Sequence, residues 1–141
     1  MDLHQKVALV TGGGTGIGRA ICMELADRKA TVVVNYSRSK DDAEETVGRI
    51  LEQGGSAIAL QADVSQDREV RAMVEQIVQQ YGTVDVLVNN ASITHHIPMD
   101  DLEAVTEAVW NDLLDVNVKG MFHCARAVAP YMKHRQQGAI V

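Results

Sequence analysis

No cluster of lysine or arginine occurs anywhere in this sequence. Thirteen Lys and Arg face 19 Asp and Glu, for a net charge of -6, and a protein that grips nucleic acid by its phosphates needs a cationic face. The balance argues against that class. Cysteine is nearly absent. Cys22 and Cys124 lie far apart and share neither a CxxC nor a metal-ligand spacing, so reduced thiols are expected, with no disulfide framework and no bound metal. Long hydrophobic runs are missing too. The amino-terminal segment offers only Val7-Ala8-Leu9-Val10, too short for a secretory leader, and nothing approaches the ~20 apolar residues of a membrane span. A soluble, cytoplasmic protein without a membrane partner is expected. Repeats, low-complexity tracts and interdomain linkers are not found. What remains is an ordinary globular composition, 46% apolar and 23% charged over 141 residues. That suffices for one domain, residues 1–141, with its own core.

Short β-branched runs alternate with longer helical ones. Val7–Thr11 is apolar and ends in a glycine cluster, the pattern of a strand buried on both faces. Gly16–Lys29 reads as a helix with Ile17, Ala20, Ile21 and Leu25 on its inward stripe. Thr31–Tyr36 is a strand, and Asp41–Gln53 a helix turning Ala43, Val47, Ile50 and Leu51 inward, stopped by Gly54-Gly55. Ser56–Gln61 is a third strand, Asp67–Tyr81 a helix closed by Gly82, and Val84–Asn89 a fourth strand. Asn90–Asp101 is a loop. A short helical piece at Leu102–Val105 then precedes a long helix from about Glu107 to about His134, with Thr106 as N-cap. Ala139-Ile140-Val141 opens a fifth strand. Successive βα units call for right-handed crossovers and a parallel sheet. The fold class is α/β, a doubly wound Rossmann-type sheet, C-terminally incomplete, with ligand expected beyond the strand C-terminal ends at the switch point.

The most informative segment is Thr11-Gly12-Gly13-Gly14-Thr15-Gly16-Ile17-Gly18, set between a strand and a helix. Glycines there allow a sharp turn, close approach of a phosphate and tight helix–sheet packing, and the helix N-terminus offers free N–H groups to a pyrophosphate. Gly13 to Gly18 has Walker A spacing, but Arg19-Ala20 occupies the Lys-Ser/Thr positions, which removes the NTPase chemistry. A strict GxGxxG also fails, because the third glycine would fall at Ile17. The remaining pattern is TGxxxGxG.

That pattern resembles the cofactor loop of the short-chain dehydrogenase/reductase family. Asp63-Val64, Asn89-Asn90-Ala91 and Asn117-Val118-Lys119-Gly120 are similar to further motifs of the family, in the right order. The resemblance spans the whole chain and is nearest in character to 3-oxoacyl-acyl-carrier-protein reductases and sugar or polyol dehydrogenases. It implies that Gly12, Thr15, Gly16, Ile17 and Gly18 hold a pyrophosphate, that Asp63 and Val64 meet the adenine, and that Asn90 lines the adenosine and nicotinamide side. It makes Asn117 a catalytic residue that perturbs its helix and anchors a relay water. At the end of the second strand, Asn35-Tyr36-Ser37-Arg38 lacks the acid that would hold a ribose 2′-OH, and Arg38 suits a phosphate monoester. The cofactor implied is NADP, with NAD open, since Thr15 stands where many NADP-dependent relatives carry a base. Ser92 replaces a family glycine that permits unusual backbone angles.

The family's chemistry uses a Ser, a Tyr and a Lys four residues on. None of them is found at its place in these residues. Tyr36 to Lys40 matches YxxxK only as a decoy after the second strand, and Tyr131 is followed by Arg135. The expected function is therefore that of the cofactor-binding half of an NAD(P)-dependent oxidoreductase acting on a small carbonyl or alcohol substrate. The alternative is a dinucleotide-binding or regulatory module without turnover. Loop residues His95-His96, and His123-Cys124, are not read as metal ligands. Val109, Trp110, Leu113, Leu114 and Met121 make the long helix more apolar than solvent requires. Core packing is the first explanation and a subunit interface the second, and a homo-oligomer is expected of the full-length form.

Overall fold

Strand β1 (Val7–Val10) is buried at every position, which four consecutive aliphatic residues tolerate only when helices cover both faces of a sheet. The computed structural model, which describes residues 3–141, shows that arrangement. Strands β2 (Thr31–Tyr36), β3 (Ser56–Gln61), β4 (Val86–Val88) and β5 (Ala139–Ile140) join β1 in one parallel sheet of order β3-β2-β1-β4-β5. Helices α1 (Gly16–Asp27), α2 (Lys40–Glu52), α3 (Asp67–Tyr81), α4 (Glu107–Leu114) and α5 (Gly120–Arg135) form the outer layers, with a 3-10 turn at Leu102–Ala104. The sheet order reverses between β1 and β4, so the chain crosses from one half to the other there.

Side-chain alternation along the strands sorts the core into two layers. Val7, Leu9, Val33 and Leu87 pack with Val70, Val74 and Ile77 of α3 and with Cys124 and Val128 of α5. Ala8, Val10, Val32 and Val34 pack with Cys22 and Ala26 of α1 and with Ala43 and Ile50 of α2. An ion pair staples the first layer: Asp67 Oδ1 lies 2.7 Å from Arg126 Nη2 and Oδ2 lies 2.9 Å from Arg71 Nε. The Arg71 hydrogen bond first, and Arg126 next, hold the Asp67 carboxyl down to about 2. Because that value is below the unfolded one, the contact contributes above the ordinary carboxylate range and fades as pH falls toward 2.

The fourth strand is shorter than the expected Val84–Asn89, and three further details depart from the sequence reading. The inward line of α1 is Gly18, Cys22 and Ala26; Ile21 and Leu25 only flank it, and Ile17 is 75% exposed. The helix starts so close to the sheet that only small residues fit beneath it, and this shifts the buried stripe by one position. Leu51 is likewise 52% exposed, because α2 buries Ala43, Thr46 and Ile50. The long helix is interrupted: residues Asp115–Lys119 form a π segment between α4 and α5, with the Gly120 N–H bonded to the Asp115 carbonyl. Thr106 does cap α4, its hydroxyl accepting from the Val109 N–H at 3.4 Å. Among the described residues no helix is long and apolar enough to cross a membrane.

Cys22 and Cys124 are both fully enclosed, and burial pushes each thiol up to about 12. At pH 8 that leaves about one thiol in ten thousand ionised, and only the thiolate attacks. Native protein should therefore give no rapid reaction with a thiol-directed chromophore, and two equivalents should react on addition of denaturant. Fast labelling of either cysteine in the native state would contradict this packing.

Candidate functional site

The turn between β1 and α1 is held from two sides. Thr11, almost fully buried, accepts at its Oγ1 from the N–H groups of Asn90 and Ala91, both at 3.0 Å. Asn90 returns the contact, its Nδ2 donating to the Thr11 and Gly12 carbonyls at 2.9 and 3.1 Å. These bonds sew the C-terminal ends of β1 and β4 together at the switch point. From the other flank, the Gly13 N–H donates to the Asn35 carbonyl at 3.0 Å and the Gly12 N–H to Asn35 Oδ1 at 3.4 Å. Gly12 and Gly16 adopt φ of +63° and +52°, a region that side chains resist. Gly18 is needed for space: a Cβ there would lie 2.2 Å from the Gly12 carbonyl oxygen.

Beyond the turn, α1 begins at Gly16 with Thr15 in extended conformation as its N-cap. The Thr15 side chain makes no capping bond, and the first turn carries no acid. The N–H groups of Gly16, Ile17 and Gly18 therefore have no intrahelical acceptor, and the positive end of the helix dipole is left uncompensated. That end opens into a cleft of about 690 Å³. Gly12, Thr15, Gly16, Ile17, Gly18, Asn35, Arg38, Asp63, Val64 and Asn90 all line it. Ten residues from four separate stretches of sequence thus converge on one cavity at the strand C-terminal ends.

Their roles in the wall differ. Asn35 is 1% exposed, and its Nδ2 donates to the Ala62 carbonyl at 3.0 Å. With Oδ1 on Gly12, its amide is consumed in tying the glycine turn to the end of β3. Asp63 Oδ1 accepts from the backbone N–H and the hydroxyl of Ser65, at 2.9 and 2.7 Å. Its second oxygen makes no hydrogen bond among the described residues. Val64 is buried, and its carbonyl lies 2.9 Å from His123 Nδ1; since a carbonyl only accepts, Nδ1 carries the proton. Arg38 is exposed on the wall and has no ion pair or side-chain hydrogen bond among the described residues.

Asn117 does not line the cleft. Its Oδ1 accepts from the Ile93 N–H at 2.8 Å and its Nδ2 donates to the Ile93 carbonyl at 2.9 Å. This reciprocal pair, formed from the middle of the π segment, fixes the loop after β4, and Ile93 itself is on the cleft wall. Ser92 is not among the left-handed residues, so serine stands there without backbone strain. His95 Nε2 approaches Asp112 Oδ2 at 3.5 Å, while among the described residues no three His, Cys, Asp or Glu side chains converge as metal ligands would. Sequence reasoning misses Asp42, at the start of α2, and two further acids, Asp112 and Asp115, which reach the cleft from α4 and the π segment. The spacing of three between Asp112 and Asp115, just before Asn117, is the available signal, since residues three apart share a helix face.

The family model described as short chain dehydrogenase matches residues 6–141. The chain belongs to the short-chain dehydrogenase family. Curated relatives agree. A short-chain dehydrogenase/reductase homolog of Bacillus subtilis, YusS, is 64% identical over 109 residues, 77% of this chain and all of that relative. The 3-oxoacyl-acyl-carrier-protein reductase FabG of Staphylococcus epidermidis is 45% identical over 136 residues, 96% of this chain and 54% of the reductase. The chain therefore spans about half the length of such short-chain reductases. Among solved structures, a metagenomic short-chain oxidoreductase in complex with NADP superposes with a TM-score of 0.90 at 33% identity, covering 98% of this chain and 60% of that one. A short chain dehydrogenase from Burkholderia cenocepacia J2315, also in complex with NADP, gives 0.84 at 38% identity, covering 93% and 52%.

Proposed function

We propose that this chain forms the coenzyme-binding part of an NADP-dependent oxidoreductase, one that moves hydride between nicotinamide and a carbonyl or alcohol carbon. A 3-oxoacyl or related ketone is the substrate class. The observation that carries the reading is the bare N-terminus of α1, uncapped and free of acids, facing the cleft behind three glycines. An anion-binding end without its own cap suits a pyrophosphate. The bound nicotinamide supplies the hydride, and the chain's residues position and discriminate. Gly16, Ile17 and Gly18 offer N–H donors to the diphosphate, Asp63 and Val64 border the adenine, and the Arg38 guanidinium meets the ribose 2′-phosphate. Asn117 acts through Ile93, setting the loop at the nicotinamide end. The two NADP-bound neighbours support this choice of coenzyme. The reading includes a cytoplasmic setting and assembly of more than one copy, which the exposed Trp110, Leu114, Val118 and Phe122 support.

The family's Ser and Tyr-xxx-Lys are not at their places among the 141 residues, and the Tyr36–Lys40 spacing falls at the end of β2. These residues alone are thus expected to bind coenzyme without turning it over. Titration of the purified protein with NADPH and NADH, followed by calorimetry and by NADPH fluorescence, tests the reading. Saturable binding of NADPH in preference to NADH is expected, with no absorbance loss at ~340 nm when a β-keto ester is added. Arg38→Asp should reverse the preference by roughly tenfold or more, because it replaces the phosphate's partner with a like charge. A folded sample that binds neither coenzyme would defeat the assignment.

A further inference from the structure

Arg19 lies outside the cleft yet is bonded to two of its walls. It follows the last glycine of the turn on α1, and its side chain is only 20% exposed. Its Nε donates to the Gly14 carbonyl and to Thr46 Oγ1, each at 2.9 Å. Its Nη2 reaches the Asp42 carbonyl at 3.3 Å and Glu45 Oε2 at 3.1 Å. Thr46, fully buried on α2, brings its hydroxyl within 3.0 Å of the same Gly14 carbonyl. The Gly14 carbonyl is thus held against α2 by two groups. A trans peptide sets C=O and the following N–H in opposite directions, so the Thr15 N–H is turned away from α2.

The charges matter as much as the bonds. Asp42 lines the cleft on the wall that also carries Arg38, and its Oδ1 is 3.9 Å from Arg19 Nη2. Glu45 is held below the ordinary carboxylate range, by a hydrogen bond from Arg49 first and by the Arg19 charge next. Without Arg19, Asp42 would face the stretch between Thr15 and Arg38 uncancelled while Glu45 kept only Arg49, and a doubly charged phosphomonoester would feel this most.

We propose that Arg19 is a specificity-determining positioning residue, whose charge offsets Asp42, and with Arg49 also Glu45, so that this wall accepts a phosphate on the adenosine ribose. The inference rests on the coenzyme reading above. It is tested by calorimetric titration of wild type, Arg19→Gln, Arg19→Lys and Arg19→Gln/Asp42→Asn with NADPH and NADH, with thermal melts alongside. Arg19→Gln should weaken NADPH roughly tenfold and NADH by less than about twofold, and adding Asp42→Asn should restore most of the loss. Arg19→Lys, which keeps the charge and loses the forked bonds, should keep the preference within about twofold. If Arg19→Gln does not fold, Arg19→Lys carries the test, and a reversed preference there overturns the proposal. Equal weakening of both coenzymes by Arg19→Gln, or no rescue by Asp42→Asn, overturns it while leaving the coenzyme reading intact. Wild type that binds neither coenzyme removes both.

Discussion

Gly18→Ala should destabilise the fold by more than about 3 kcal/mol and abolish dinucleotide binding. The added methyl would sit 2.2 Å from the Gly12 carbonyl oxygen, 2.6 Å from Asn90 Nδ2 and 3.0 Å from the Gly12 carbonyl carbon. Two of these three atoms are backbone, and the third belongs to the amide that bridges β1 and β4. No flexible side chain can yield. Relief requires either lifting α1 off the sheet, which uncovers Cys22 and Ala26, or breaking the Asn90 bridge. A control separates this from the general effect of replacing a helical glycine. At Gly48, on α2, an added methyl would meet nothing within 4 Å, and φ is not positive. Gly48→Ala should therefore stabilise the protein by about 0.5–1 kcal/mol. Urea midpoints for the two variants, with NADPH titration of each, make the comparison. Opposite shifts are expected, and a Gly18→Ala midpoint within error of wild type would contradict the close approach described.

At the other end of the sheet, Asp85→Ala should cost about 2–3 kcal/mol, because it leaves the buried Val7 N–H without an acceptor and removes the carboxylate from two cations that are partly open to water. The Asp85 side chain is 3% exposed. Its Oδ2 accepts from the Val7 N–H at 2.9 Å, and its Oδ1 lies 3.2 Å from Arg135 Nη1 and 3.7 Å from Lys6 Nζ. One carboxylate thereby joins the start of β1, the start of β4 and the last residue of α5. Its own backbone links neighbours as well, donating to Val7 and accepting from Ala139. Asp85→Asn keeps an oxygen for Val7 but loses both ion pairs, so it should fall between wild type and Asp85→Ala. Denaturant unfolding of the three proteins measures the order. A cost below about 1 kcal/mol for Asp85→Ala would show that the two cations are hydrated and that the carboxylate is dispensable.

Much of this architecture can be read from local cues. Strands β2 and β3 and helix α3 run from the first to the last residue that the pattern indicates. For α3 the cause is plain: Gly82 takes φ +82°, and its N–H closes on the Val78 carbonyl. The cleft is legible because its ten candidate residues sit at strand ends, where a doubly wound sheet must place them. What sequence does not show depends on packing and hydrogen bonds between elements. The π segment forms around an asparagine whose partners are 24 residues away. The inward line of α1 follows from how closely Gly18 approaches Gly12, which periodicity does not encode. Asn35 reads in sequence as a ligand contact, but its amide is taken up by Gly12 and Ala62. Arg19 stands out in sequence only as the wrong residue for a phosphate loop, although its bonds run to α2 and the back of the glycine turn.

The hydrogen bonds among Thr11, Gly12, Asn35 and Asn90 are satisfied within the protein itself. A guest molecule entering the cavity thus meets a floor already frozen into its receiving shape, and the disorder lost in shaping it was lost during folding. Association there should resemble docking onto a rigid template. Whatever rearrangement a ligand does provoke is left to the opposite rim, where the loop after Ile93 meets α4 through a histidine and an aspartate that are both open to water.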